Sequence, residues 1–287
     1  MANQMNLLAR WICFAIAVGL FLATNSAAQQ TDTDSPELHV DTSLYYGDKS
    51  SSISQNVTLF QSGFVYDFGS SSTDAKNEDV EITIYDSQKK MFTLLDTKRK
   101  IKFTIPQTRL VQLTEALRAQ TSQNPELKFL ASADYTETSD QNSGWTTVDG
   151  DVIKYRFKGK RLRDPRNIDS YCEFLDQYTL LAVTDPRRTP PFARLRLNAA
   201  IKKKGIVPTN IRLDMRKTPP MHQAVSMKSR HTFVESLSET DKAKIKSANE
   251  KLAAYKTVSL STYRGLSAAE ASKDAPCLLY TSDAADE

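Results

Sequence analysis

VEITIYDSQKKMFTLLDTKRKIKFTI, residues 80–105, is the stretch whose reading decides the fold. Val80, Ile82 and Ile84, then Phe92 and Leu94, then Ile101, Phe103 and Ile105 alternate with mostly polar neighbours. The runs are divided by Asp86-Ser87-Gln88-Lys89-Lys90 and Asp96-Thr97-Lys98-Arg99-Lys100. Side chains along a strand point to opposite faces in turn, so short period-two runs with short polar connections specify an antiparallel meander. One face is expected to be apolar and the other rich in Lys, Thr and Glu. Upstream, Val57 and Leu59, then Phe64, Tyr66 and Phe68 repeat the pattern about a turn at Ser62-Gly63.

Downstream the period changes. Pro106 ends the strands, and Leu110, Leu113 and Leu117 predict a helix over 108–120. A second strand group is expected over 134–157. Ile168, Tyr171, Cys172, Leu175 and Tyr178 form a helical stripe within 167–183, entered through Asp164-Pro165. Pro190-Pro191 opens another helix that ends at Gly205 after Lys202, Lys203 and Lys204, cations suited to a helix C-terminus. Strands are expected over 210–216 and 224–235. Ser238-Glu239-Thr240-Asp241 then opens a helix to about Tyr255, with Ser238 as cap and Asp241 filling the acidic slot of a capping box. The fold class is therefore α+β, an antiparallel meander with several helices packed on one face.

The ends read differently. Arg10, an apolar run from Trp11 to Ala23 and the small residues Ser26, Ala27 and Ala28 make residues 1–28 a cleavable signal peptide, which places the protein in the periplasm or outside the cell. The apolar run is shorter than the roughly 20 residues that span a bilayer. Residues 29–40 are expected to be a flexible leader, 41–256 a single α+β domain and 257–276 a weakly structured, truncated tail. Residues 277–287, Cys-Leu-Leu-Tyr-Thr-Ser-Asp-Ala-Ala-Asp-Glu, resemble a translated sequencing adapter.

Of 38 basic and 34 acidic residues, Arg10 lies in the signal and Asp283, Asp286 and Glu287 in the adapter-like end, leaving 37 against 31, or +6. The same trimming removes Cys13 and Cys277. Cys172 alone remains, too few for an internal disulfide, a zinc finger or a dithiol centre. Residues 29–153 carry −8 and residues 154–217 carry +11. Within that basic block Lys158, Lys160, Arg161 and Arg163, with Lys202, Lys203 and Lys204, are the candidate surface for an anionic head group or polymer; solvated or internally compensated charge is the plainer alternative. Export and the lack of a nucleic-acid-binding motif argue against nucleic acid.

Motifs for nucleophile elbows, zinc proteases, phosphate loops and dinucleotide sites are absent from the sequence, and neither metal nor cofactor is expected. His39, His222 and His231 show no i, i+4 pairing. Asp214, His231 and Ser226 can be drawn as a triad, and Glu173 with Asp176 as an acid and base three apart on a helix, although a strand histidine and a solvated helix face explain them as well. Cys172 is expected in the core. Asn56-Val57-Thr58 is a glycosylation sequon in form.

The rhythm Val65-Tyr66-Asp67-Phe68, Ile82-Thr83-Ile84-Tyr85-Asp86 and Phe92-Thr93-Leu94-Leu95-Asp96 resembles the lipoprotein-carrier (LolA/LolB-like) group of exported bacterial proteins. The resemblance spans residues 42–255 in order of elements. It implies a curved sheet wrapping over helices around an apolar cavity, lined by Phe64, Tyr66, Phe68, Phe92, Leu94 and Phe103, residues that core packing explains equally well. The chain departs from those carriers in its length, two additional middle helices and its basic block. The expected function is non-enzymatic binding of a lipid or other amphiphile, with membrane association only through the signal peptide or the ligand. A carboxylate hydrolase of cell-wall or extracellular material and a structural envelope protein holding an anionic polymer are the alternatives.

Overall fold

A computed structural model of the chain describes residues 36–71, 81–124, 128–132, 134–185, 188–217 and 224–266. The expected signal peptide, the part of the expected leader before Pro36, residues 267–287 and His222 lie outside the described residues. Strands β1 (Leu38–Tyr46), β2 (Ser54–Gln61), β3 (Phe64–Ser71), β4 (Glu81–Asp86), β5 (Met91–Asp96) and β6 (Ile101–Pro106) are followed by α1 (Gln107–Gln123) and the short α2 (Lys128–Ser132). Then come β7 (Thr136–Ser139), β8 (Thr146–Asp149), β9 (Ile153–Lys160) and α3 (Pro165–Leu180), which a 3-10 turn continues through Leu181–Thr184. The chain goes on through α4 (Phe192–Lys204), β10 (Val207–Met215), β11 (Val225–Val234), α5 (Glu239–Ala254), β12 (Lys256–Thr257) and α6 (Leu260–Arg264).

The strands form one curved, twelve-stranded sheet in the order β12-β6-β5-β4-β3-β2-β1-β11-β10-β9-β8-β7. Two meanders, β1 to β6 and β7 to β11, are therefore joined edge to edge by β1 and β11, from His39 opposite Val234 to Tyr46 opposite Met227. All pairs are antiparallel except β12 with β6.

Turn chemistry fixes the first meander. Ser62 and Gly63 both adopt positive φ, as a two-residue hairpin requires. Lys90 and Lys100 do so at the ends of the two polar turns, where Asp86 accepts from the amides of Gln88 and Lys89, and Asp96 from that of Arg99. Helix ends follow the sequence as well. Asp164 caps α3 with Pro165 in its first turn, Gly205 closes α4 in the left-handed region, and Ser238 with Asp241 completes the capping box of α5.

The alternation does not place all the apolar residues on one face. Ile82 pairs with Leu95, whereas Tyr85 pairs with Phe92 and Leu94 with Phe103, so the phase reverses between β4 and β5. On one face Leu38, Val40, Phe60, Tyr85, Phe92 and Leu94 join the buried residues of α1, α3 and α4. On the other, Leu59, Tyr66, Phe68, Ile82, Ile84 and Leu95 pack with Leu237, Ile245 and Ala248 of α5 and its approach. We call these the inner and outer faces. The α+β class holds, while the expected one-sided placement of helices extends to α1, α3 and α4 but not to α5.

Two further boundaries move. Leu38 and Val40, assigned to the leader, are buried strand residues at the middle of the sheet. Part of the tail is structured, since β12 pairs with β6 and α6 buries Leu260 and Tyr263. In β1 Leu38, Val40 and Leu44 do alternate with His39, Asp41 and Ser43, a strand signal masked by the polar run just before it, whereas β12 and α6 are too short to register by themselves; neighbours far along the chain supply the burial.

His39 ties the central strand to α5, its Nε2 lying 3.1 Å from Asp41 Oδ2 and its Nδ1 3.1 Å from Asp241 Oδ2. Burial works to lower the imidazole pKa, but the hydrogen bonds and charges of Asp241 and Asp41 prevail and raise it above its ordinary 6.5. The resulting stabilisation is complete below the unfolded pKa and fades as pH rises through the folded one. His39→Gln is therefore expected to cost more stability at about pH 5.5 than at about pH 8.5 in urea unfolding; equal losses would show that the ion pair contributes nothing. At the β9–β10 bulge a methyl carbon on Gly159 would collide with the carbonyl oxygen of Val207. Gly159→Ala should lower unfolding free energy by about 1–3 kcal/mol, since the obstructing atom is backbone.

Candidate functional site

A cavity of about 420 Å³ opens between the inner face of the sheet and the helices α3 and α4. Its apolar walls are Val40 and Leu44 from β1, Tyr155 from β9, Phe174 and Leu175 from α3, and Ala182 with Pro190 and Pro191 beyond the helix. The strands' inward positions supply the floor. Thr42, Thr58, Asp67, Ser229 and His231 break the apolar alternation there.

Asp67 is buried under Tyr178. Its carboxylate accepts from Thr58 Oγ1 at 2.6 Å, Tyr178 OH at 3.0 Å and Asn56 Nδ2 at 3.2 Å. Burial raises its pKa even against these three donors. The Asp67 charge, reinforced by burial, holds the Tyr178 phenol well above its ordinary value. His231 is held on both sides, Nδ1 lying 2.9 Å from Thr42 Oγ1 and Nε2 2.8 Å from Ser229 Oγ. Burial, aided by the positive charge of Arg194, pushes its pKa down to about 3. At neutral pH the ring is uncharged.

Two arginines complete the lining. Arg194 donates from Nε to Asn198 Oδ1 at 3.1 Å, and Arg188 Nε stands 3.9 Å from Asp185 Oδ2. The cavity thus joins apolar walls to cationic groups. Both His231 nitrogens and the Asp67 carboxylate are engaged by hydroxyl and amide groups of the cavity floor. Among the described residues no group of three His, Cys, Asp or Glu side chains is placed to hold a metal ion.

The six residues expected to line a cavity are elsewhere. Phe64, Tyr66 and Phe68 face α5 on the outer side, Phe92 and Leu94 are in the main core, and Phe103 packs 6.2 Å from the Tyr263 ring, centre to centre. Phe64 borders only a smaller hollow of about 210 Å³ with Tyr85 and Glu173. The apolar alternation correctly marked strand residues, but the phase reversal divided them between two cores.

The basic candidates are also separated. Lys158 lies on the outer face, 5.4 Å from the Trp145 ring centre. Lys160 and Arg161 are exposed at the end of β9 and beyond, and Arg163 pairs with Glu235 at 3.5 Å. In the last turn of α4, beside the inner face, Lys203 reaches Glu137 at 3.4 Å and Lys204 reaches Ser139 at 2.9 Å, next to Lys202.

The drawn triad is not assembled. Ser226 donates to Asp214 at 2.8 Å on the outer face, while His231 points inward from the same strand as Ser226. Glu173 pairs with Lys90, whereas Asp176 is held by Asn198 and feels Lys202, so the two carboxylates have separate partners. Cys172 is buried, which with the Asp176 charge pushes its thiol up to about 11 and leaves it unreactive. Asn56 Nδ2, where a glycan would attach, donates to Asp67.

Sequence reasoning placed Tyr178 on a helical stripe and Asp67 in a strand but did not single out either, or Arg194, as a site residue. The signal was a carboxylate inside the alternating run Val65-Tyr66-Asp67-Phe68, an ionisable group in a strand otherwise committed to burial. No protein-family model matches the chain, and no curated protein matches it.

Because the unfolded chain protonates His231 near 6.5 and the folded chain resists until about 3, the unfolded state binds more protons in that window and stability falls as pH drops through it. His231→Gln should flatten the decline in urea-unfolding free energy between about pH 6.5 and pH 4. An unchanged slope would mean that the ring is already protonated in the fold.

Proposed function

We propose that this chain is an exported, non-enzymatic binding protein that holds an amphiphile in the inner-face cavity, its apolar portion against Val40, Leu44, Phe174 and Leu175 and its anionic head at Arg188 and Arg194. The single observation carrying this reading is a cavity of about 420 Å³, within the usual ~300–1,000 Å³ range of small-ligand sites, whose apolar walls end at two guanidinium groups. Burying an acyl or similar chain supplies affinity at roughly 25 cal/mol per Å² of apolar surface, and the arginines fix orientation.

The lipoprotein-carrier resemblance supports the same reading, since it independently calls for an apolar ligand within a curved sheet. The N-terminal signal pattern supports export. Among the described residues no helix is long and apolar enough to cross a membrane. The engagement of Glu173 by Lys90 and of Asp176 by Asn198 weighs against the carboxylate-hydrolase alternative.

Protein purified from an exporting host should carry a lipid-sized adduct in native mass spectrometry and displace a fluorescent acyl probe. Filling the cavity with Leu44→Trp and Ala182→Trp should abolish displacement while thermal unfolding stays cooperative. Arg194→Met should weaken a fatty carboxylate about tenfold or more, the loss of one charge-assisted hydrogen bond, and leave the matching long-chain alcohol unaffected. Undiminished probe binding by a folded, cavity-filled protein would sink the assignment.

A further inference from the structure

On the outer face α5 packs over the second buried cluster of β2 to β5 and reaches His39 near the start of β1 through Asp241 and Lys102 of β6 through the carbonyl of Leu252. Across β8 to β11 and β1 the same face presents side chains of another kind. Arg212 stands opposite Arg156 on one neighbouring strand and opposite Lys228 on the other. One register step along, Asn210 stands between Lys158 and Arg230. Two adjacent rows therefore hold five cations. Strands lie about 4.8 Å apart and alternate residues about 6.8 Å, so the patch is small and dense.

Only Arg156 in this set has a carboxylate partner among the described residues, Asp214 at 3.1 Å. Lys158 and Arg212 instead lie over the Trp145 ring, at 5.4 and 5.6 Å from its centre, and Lys228 and Arg230 over Tyr45, at 5.1 and 5.4 Å. Like charges directly opposite one another weaken a sheet. The rings relieve some of that repulsion and hold the cations in place. What remains is a preset positive surface that the fold does not need, on the side of the sheet away from the cavity.

We infer that this outer face of β8 to β11 and β1 docks a linear acidic polysaccharide, with Arg212, Lys228, Arg230 and Lys158 contacting its carboxylates. Charge complementarity selects a polyanion. The manner of ring use selects the kind. Trp145 and Tyr45 are half-buried, and each ring already has two cations over it, so the patch offers no vacant stacking platforms for bases; the exposed Val234, four positions beyond Arg230 on β11, is a single apolar side chain, too little to seat a bilayer. An extended chain carrying carboxylates at sugar-length intervals needs neither. This surface is independent of the cavity and of whatever the cavity holds.

The test compares the full chain with Arg212→Gln/Lys228→Gln/Arg230→Gln by titration with polygalacturonate. The triple variant should bind at least about tenfold more weakly, with the slope of log affinity against log salt flattened by about two, as expected when several counterion-releasing contacts are lost. Its thermal stability should equal or exceed that of the parent, because cross-strand repulsion is removed. Arg212→Lys/Arg230→Lys, which keeps the charge, should retain binding. Lys202→Gln/Lys203→Gln/Lys204→Gln, a change of the same net charge elsewhere, should also leave it intact. Equal loss in that control would overturn the localised site. Unchanged binding by the outer-face variant would overturn the proposal, as would tighter binding of oligothymidine or phosphatidylglycerol vesicles through the same three residues.

Discussion

The pairing of β1 with β11 is the constraint on which the rest of the molecule depends. It joins residues such as Thr42 and His231, 189 positions apart in the chain, and converts two meanders into one sheet. Each meander pairs mainly between sequence neighbours and so is inexpensive in loop entropy. The seam closes most of the chain length and must be repaid by the burial it makes possible. That burial is evident in Val40 and Phe233, which pair across the seam and join the core of α3, Phe233 against the Tyr171 ring. The cavity exists for the same reason, because its floor takes Val40 and Thr42 from one meander and Ser229 and His231 from the other.

Once the seam is closed, the two faces take on different work. The inner face is apolar beneath α1, α3 and α4 except where the cavity's polar floor interrupts it. The outer face is divided, apolar beneath α5 and cationic where no helix among the described residues covers it. Period-two geometry enforces this separation: Ser226 and His231, five positions apart on β11, face opposite sides in any register, and Asp214 of β10 could share a face with His231 only through a one-residue slip that would turn every side chain of β11 over. The basic excess of residues 154–217 is divided among the outer sheet face, the lining of the cavity at Arg188 and Arg194, and the end of α4.

The polar groups beneath the cavity explain how the fold accepts ionisable side chains at such depth. Asp67 has three donors and His231 two hydroxyl partners, so desolvation is offset by hydrogen bonds and by a shift toward the neutral forms. Removing one partner would cost more than the bond itself contributes, because the remaining group would stay buried and unmatched. These networks also fix the orientation of Tyr178 and therefore one wall of the cavity.

Local information in the sequence determined the strands of the first meander, the helices at 165–180 and 239–254 with their caps, the helix stop at Gly205 and the turns at 62–63, 86–90 and 96–100. Each depends on contacts within a few residues: alternation, capping oxygens and the left-handed conformation of a turn. The same reasoning located the core position of Cys172. It did not find the start of β1, although Leu38, Val40 and Leu44 alternate with His39, Asp41 and Ser43, because the polar run before them reads on as leader; that this strand is central is decided only by β2 and β11 on either side. Nor did it show which face Phe92 shares with Tyr85, or that Asp67 and Arg194 border one space. Those facts belong to the register between strands and the long-range seam, which no short window of sequence contains. Secondary structure here is a property of neighbouring residues, whereas the sites are properties of faces, and a face is defined only when distant strands have paired.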